Sequence, residues 1–155
     1  MSDGGITIQL YHPSLKQIIL NNFVQENCNS IIYANAAATS LKLFCINNGL
    51  VLGSVGVKIC EITSQLDLLR FSNLIFKDPA TASTKLALLV SGVTTFSLIG
   101  VHTEGTNMDY LTDVTNAATF TNFQPVGCDF VGLTALHKTQ TPTNTIGEET
   151  SIGII

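Results

Sequence analysis

Charge is what this chain has least of. Only 12% of its 155 residues are Asp, Glu, Lys or Arg, about half the ~25% of an average globular domain. Thr, Ser, Asn and Gly fill the gap. The outside of such a protein is covered by hydroxyls, amides and apolar atoms, and little repulsion keeps copies apart. The 7 Lys and Arg form no cluster and the net charge is −4. A protein that holds nucleic acid without regard to sequence needs several phosphate-neutralising cations on one face, so no nucleic-acid partner is expected. Trp is absent and Tyr numbers 3, which leaves few of the aromatic rings that stack on sugars.

Metal-site cysteine patterns are missing too. Cys28, Cys45, Cys60 and Cys128 are separated by 17, 15 and 68 positions. There is no Cys-x-x-Cys pair, and these spacings match no zinc-finger template. Cys45 and Cys60 lie in alternating apolar runs, where a free thiol acts as a small hydrophobe. No secretory signal opens the chain, so reduced thiols in a cytosolic setting are expected. The run Leu86–Thr103 carries no formal charge and reaches the ~18 residues of a membrane span. Ser91, Gly92, Thr94, Thr95, Ser97 and Gly100 interrupt it, and no membrane partner is expected.

What the chain does have is short alternating runs. In Ser30–Ile62, Leu41, Leu43 and Cys45 alternate with Lys42, Phe44 and Ile46, the period of a β-strand. Asn47-Asn48-Gly49 follows as turn chemistry, because Asn and Gly accept positive φ. Val55, Val57 and Ile59 then alternate with Gly56, Lys58 and Cys60, which predicts a second strand. Ile6–Leu10 reads as a strand ended by Pro13 and Ser30–Tyr33 as another. In Leu15–Val24, Leu15, Ile18, Ile19 and Phe23 fit a helical stripe while Ile18-Ile19-Leu20 suits a buried strand, and the strand is the reading taken in a β-rich chain. Thr63–Phe71, lacking alternation, reads as a crossing loop or a helical turn, and Ser72–Lys77 as a strand before the Asp78-Pro79-Ala80 turn. Thr84–Val90 and Thr94–His102 predict a hairpin around Ser91-Gly92. Asp109–Ala118 fits a short helix or an irregular strand. Thr119–Phe123 and Asp129–His137 are the last strong β runs. Thr39–Lys58 and Thr84–Thr103 share a strand–turn–strand rhythm that any two hairpins would share, so it is not read as a repeat.

Turn-separated runs of this kind predict an all-β fold, an antiparallel β-sandwich of jelly-roll type with at most one or two short helical turns. Residues 1–138 would form that domain. Residues 139–155 would form a C-terminal arm ending in Ile152, Ile154 and Ile155 and docked on its own or a neighbouring subunit. Those three isoleucines are the candidate assembly contacts.

Catalytic candidates are few. Gly53-Ser54-Val55-Gly56 lacks the Gly-x-Ser-x-Gly spacing of a nucleophile elbow and reads as a bend. Cys128-Asp129 with His137 is the one nucleophile–base combination, with nothing local to enforce the contact. His12, His102 and His137 are dispersed. Asp109 and Asp113 would share a helix face but offer too few oxygens for a calcium loop. No phosphate loop or dinucleotide fingerprint appears. No catalytic, metal or cofactor residues are assigned, no cofactor is expected, and the chain is not expected to be an enzyme.

Ile31-Ile32-Tyr33, the run ATSLKLFCIN ending at Asn47, and Val55-Gly56-Val57-Lys58-Ile59 together resemble small β-sandwich modules of tailed-bacteriophage virions. Leu74–Ala80 (LIFKDPA) and Ser83–Leu89 (STKLALL) are similar to a later strand and loop of those modules. Ser91-Gly92-Val93 lacks the Gly-Asp step often found there. The resemblance covers about half the chain. It implies a non-enzymatic virion structural protein, a capsid decoration, neck or tail component assembled in the host cytoplasm. Its partners would be copies of itself, a trimer being one symmetry, and other virion proteins. The alternative is a receptor- or carbohydrate-binding module of a fibre or surface assembly.

Overall fold

Five buried positions recur along the chain with the same internal steps. Leu41, Phe44, Ile46, Gly49 and Val51 form the first set, and Leu66, Leu69, Phe71, Leu74 and Phe76 the second. Val93, Phe96, Leu98, Val101 and Thr103 form the third, and Phe120, Phe123, Pro125, Cys128 and Phe130 the fourth. The sets start 25, 27 and 27 residues apart and lie in register, Leu41 beside Leu66, Leu66 beside Val93, and Val93 beside Phe120. Each set is one wall of a coil, so side chains at equivalent positions stack at the ~4.8 Å spacing of neighbouring strands.

The computed structural model describes residues 7–10, 16–26, 31–34, 41–53, 58–63, 65–78, 85–105, 107–108, 110–115, 118–147 and 151–154. The first strands are β1 (Thr7–Leu10), β2 (Gln17–Asn21), β3 (Val24–Glu26), β4 (Ile31–Ala34), β5 (Leu41–Leu52) and β6 (Lys58–Ile62). Next come β7 (Leu66–Lys77), β8 (Lys85–Leu89), β9 (Val93–Ile99), β10 (His102–Glu104) and β11 (Tyr110–Val114). The chain ends with β12 (Phe120–Val126), β13 (Asp129–Leu133), β14 (Ala135–Lys138), β15 (Asn144–Thr145) and β16 (Ser151–Ile154).

These strands wind into a β-solenoid of about four turns with no helix among the described residues. One sheet runs β1-β4-β6-β8-β11-β14; the other stacks β15-β12-β9-β7-β10-β13-β16, with β5 beside β7 and β2 and β3 beside β5. Every pairing among the described residues is parallel. Parallel neighbours require a long crossover, and here the crossover is the remainder of each coil.

The second sheet bends where the backbone turns left-handed. Asn22, Asn48, Asn73, Gly100 and Gly127 all have φ between 50° and 58° and occupy the same place in successive coils. Asn is among the few side-chain-bearing residues that enter this region readily, and its amide repays the cost. Asn48 donates to Asn22 and Asn73 donates to Asn48, at 3.5 and 3.1 Å. A second corner closes β5, β7, β10 and β13, with positive φ at Gly53, Asp78, Gly105 and Gly132.

The two corners differ in space. A Cβ on Gly100 would lie 3.0 Å from the mobile end of Asn73, whereas one on Gly132 would lie 2.5 Å from the backbone oxygen of Gly105. Gly100→Asn should therefore extend the amide ladder at nearly unchanged stability. Gly132→Asn should cost roughly 2 kcal/mol or more, since backbone must move. Chemical denaturation of the two variants checks this; equal losses would contradict the corner geometry.

The antiparallel sandwich is thus not the fold. Asn47-Asn48-Gly49 makes no hairpin: β5 runs through it from Leu41 to Leu52, bending at Asn48. Ser91-Gly92 separates β8 and β9, which belong to different sheets. Asp129–His137 likewise divides into β13 and β14 on different sheets. Leu66–Phe71, expected as part of a crossing loop or helical turn, is the first half of β7, where Leu66, Leu69 and Phe71 are buried. Its lost alternation is the coil's three-residue step, repeated from Leu41 to Phe44 and from Val93 to Phe96. Asp109–Ala118 supplies β11, and Leu15–Val24 supplies β2. Within the C-terminal segment, β15 pairs with β12 and β16 with β13 of the same chain.

Candidate functional site

The nucleophile–base combination is not assembled. Cys128 takes the coil position held by Leu74 and Val101 and is buried like them. Its Sγ faces the carbonyl oxygens of Val126 at 3.4 Å and Leu98 at 3.5 Å, and burial pushes its thiol pKa up. A thiol held neutral is a poor nucleophile. Its neighbour Asp129 points instead to His102.

His137 lies in the other sheet, one coil beyond Thr112. Its Nδ1 is 2.7 Å from the Thr112 hydroxyl, and its ring stands edge-on to Phe123 and Phe120, with centroids 4.6 and 5.2 Å away. Its Nε2 is shut off from solvent without a hydrogen-bond partner. Burial drives the pKa of this imidazole down to about 4. The ring is thus held neutral, with its Nε2 turned away from solvent. Cys60 lies on the same ladder as Ala87, Thr112 and His137, and burial raises its thiol as well.

Asp113 is also committed to structure. Lys85 reaches it at 3.3 Å and Lys138 at 4.0 Å, and the Thr139 hydroxyl donates to it at 3.2 Å. His12, Ser54, Asp109 and Ile155 lie outside the described residues. Ile152 and Ile154 belong to β16.

Among the described residues, the largest cluster of ionisable side chains is one that sequence spacing does not reveal. On the outside of the second sheet, beyond the asparagine corner, Lys77 meets Glu104 at 2.6 Å and His102 Nε2 lies 3.4 Å from the same carboxylate. His102 Nδ1 lies 3.1 Å from Asp129. Lys77 stands beside Glu104 and His102 beside Asp129 because each pair is one coil apart. The hydrogen bond from Lys77 holds the Glu104 carboxyl below the usual carboxylate range, helped by His102, and raises Lys77 in return. Only the coil period, unseen in a scan for local motifs, would have located this group.

No family model, curated protein or solved structure matches this chain.

General-base chemistry needs a ring nitrogen free to face a substrate. Both nitrogens of His102 face carboxylates, and Glu104 is taken up by Lys77. Among the described residues no group of three or more His, Cys, Asp or Glu is placed to hold a metal ion. No helix among them is long and apolar enough to cross a membrane. What the four residues do is tie three coils together across β7, β10 and β13.

The same face is apolar at its other end. Val24, Leu50 and Ile75 form one outward row across β3, β5 and β7, with Val24 69% and Ile75 42% exposed. Val131, 42% exposed, lies beyond the charged group on β13. The face is therefore apolar at one end and carries the Lys77–Glu104 ion pair toward the other.

Proposed function

We propose that this chain is a non-enzymatic structural protein that acts by assembly, with the outer face beyond the asparagine corner as its contact surface. The observation that carries this reading is the outward row of Val24, Leu50 and Ile75, with Val24 and Ile75 exposed, beside the Lys77–Glu104 ion pair. Such a row gains by burial, at ~25 cal/mol per Å² of apolar area, and little unpaired charge opposes it. The low overall charge supports the same reading, since it leaves copies weakly repelled. The first partner is a second copy of the chain. A virion is the assembly named by the sequence resemblance. A rigid coil with stacked strands would serve it as a spacer or a joint, although the sandwich fold implied by that resemblance is not the one found.

The test is the mass in solution. At micromolar concentration the protein should sediment as a discrete oligomer, and Val24→Lys combined with Ile75→Lys should shift it to the monomer with an unchanged thermal midpoint. A wild-type protein that stays monomeric up to about 100 μM, a concentration that excludes all but the weakest contacts, would remove the basis for the proposal.

A further inference from the structure

Arg70 is the only arginine in the chain, and it stands on the outer face of the second sheet on the opposite side of the asparagine corner from the apolar row. Register places it in the row Ile19, Cys45, Arg70, Ser97, Gln124. Among the described residues no carboxylate pairs with it; the nearest acid along its strand, Asp67, is engaged by Lys42 at 2.7 Å. Its Nε is closed off from solvent and has no hydrogen-bond acceptor.

Unpaired polar atoms out of reach of water are rare, because each costs on the order of 1–3 kcal/mol. The flanking residues show the same enclosure. Cys45 and Ser97 alternate with buried core residues and so face outward, yet they are only 6% and 4% exposed. The surroundings are otherwise neutral and polar. Ser72 sits two residues along the strand, Asn47 and Thr95 lie diagonally across the neighbouring strands, and Asn122 donates to Thr95 at 3.4 Å.

We infer that Arg70 is the anchor of a binding site for a single carboxylate carried by an acidic sugar. The guanidinium presents parallel N–H donors that fit a planar carboxylate in a two-point contact. A lone positive charge balances one negative charge, which favours a carboxylate over a doubly charged phosphate in a protein of net charge −4. The partly exposed hydroxyls of Ser72 and Thr95 supply donors and acceptors for the hydroxyl groups of a sugar, while the Asn47 and Asn122 amides are held by their neighbours. A polypeptide carboxylate would leave those two hydroxyls unused. The site does not depend on the assembly surface, so either proposal can fail alone.

A single arginine gives a single Nε–H signal in a proton–nitrogen spectrum of the full chain. Titration with sodium glucuronate and with N-acetylneuraminate should move that signal saturably, with half-saturation near ~1 mM, an ordinary strength for one small contact set. The backbone amides of Cys45 and Ser97 should move with it, and glucose should leave all three in place. Arg70→Lys, which keeps the charge and loses the fork, should weaken the response of those two amides at least tenfold. If that variant does not fold, the wild-type Nε–H titration decides. No saturable shift with either acidic sugar overturns the proposal. So does an equal response to inorganic phosphate, which would mark an unselective anion site, or tighter binding of a short Glu-containing peptide, which would assign Arg70 to a protein partner.

Discussion

Replacing Phe96 by alanine should lower the free energy of unfolding by about 4 kcal/mol, within the range for fully buried phenylalanines. Phe96 is completely buried in the middle of the solenoid. Its ring meets Phe71 edge-on at 5.6 Å, Phe123 at 5.9 Å and Phe120 at 6.5 Å. Phe71 comes from the coil before, and Phe120 and Phe123 from the coil after. The cavity would therefore open between coils, and the loss of three aromatic contacts adds to the transfer cost. In a solenoid each coil rests only on its neighbours, so neighbouring parts of the stack cannot collapse into the gap without leaving register. A domain of ordinary stability has ~5–15 kcal/mol to lose, which makes this change a large share of the total. Thr94→Ala, two residues away and exposed, should fall within about 0.5 kcal/mol of the parent. Urea unfolding of the three proteins measures both. A loss below about 1.5 kcal/mol for Phe96→Ala would show that the stacked core is not closed at this coil.

Most of the strands were legible in the sequence, because a period of two depends only on local geometry; the start of β7, where the three-residue step from Leu66 to Leu69 breaks that period, was not. How they pair was not. Asn47-Asn48-Gly49 carries the same residues whether it reverses the chain into a hairpin or bends one strand around a corner, since both need positive φ. The signal that separates the two lies at long range. Asn48 is followed 25 residues later by Asn73, and Gly100 and Gly127 follow at steps of 27. An offset of 45, which relates Thr39–Lys58 to Thr84–Thr103, is not a coil length. The buried set also hides itself: Leu41, Leu66, Val93 and Phe120 share a position but not an identity, and Gly49, Thr103, Pro125 and Cys128 interrupt the apolar pattern. A tightly stacked core asks only that summed volume be filled, so neighbouring coils trade size. Gly49 leaves the space that Leu74 occupies.

The candidate chemistry was misplaced for the same reason. Cys128 and Asp129 are close to His137 in sequence but lie on a different wall of the coil from it, while His102 and Asp129, 27 residues apart, are neighbours. In a solenoid the residues that meet are those one coil apart. Proximity along the chain within a coil carries a residue around a corner instead. Lys85 with Asp113 and Lys77 with Glu104 obey the rule, as do the Asn21–Asn47 and Asn122–Asn144 amide contacts.

Acidification should expose the role of His137. Its folded pKa of about 4 lies below the ordinary value of 6.5, so the unfolded chain takes up a proton at this ring before the folded protein does. Stability from the neutral ring is complete above pH 6.5 and is lost as pH falls toward 4. Each unit across that window favours unfolding by about 1.4 kcal/mol, on the order of 3 kcal/mol in all. The structure gives the cause: a charged imidazole would be enclosed against Phe120 and Phe123 with no acceptor at Nε2. His137→Gln cannot titrate and should flatten this part of the profile. Carboxylates such as Glu104, held low by Lys77, contribute their own loss at acid pH in both proteins and cancel in the difference. Urea midpoints at half-unit steps from pH 7.5 to 4, converted with a common slope, give that difference directly. It should grow steadily below pH 6.5. A constant offset between the two proteins would mean that the ring is hydrated in the folded state, and that the C-terminal coil does not seal the core over Phe123.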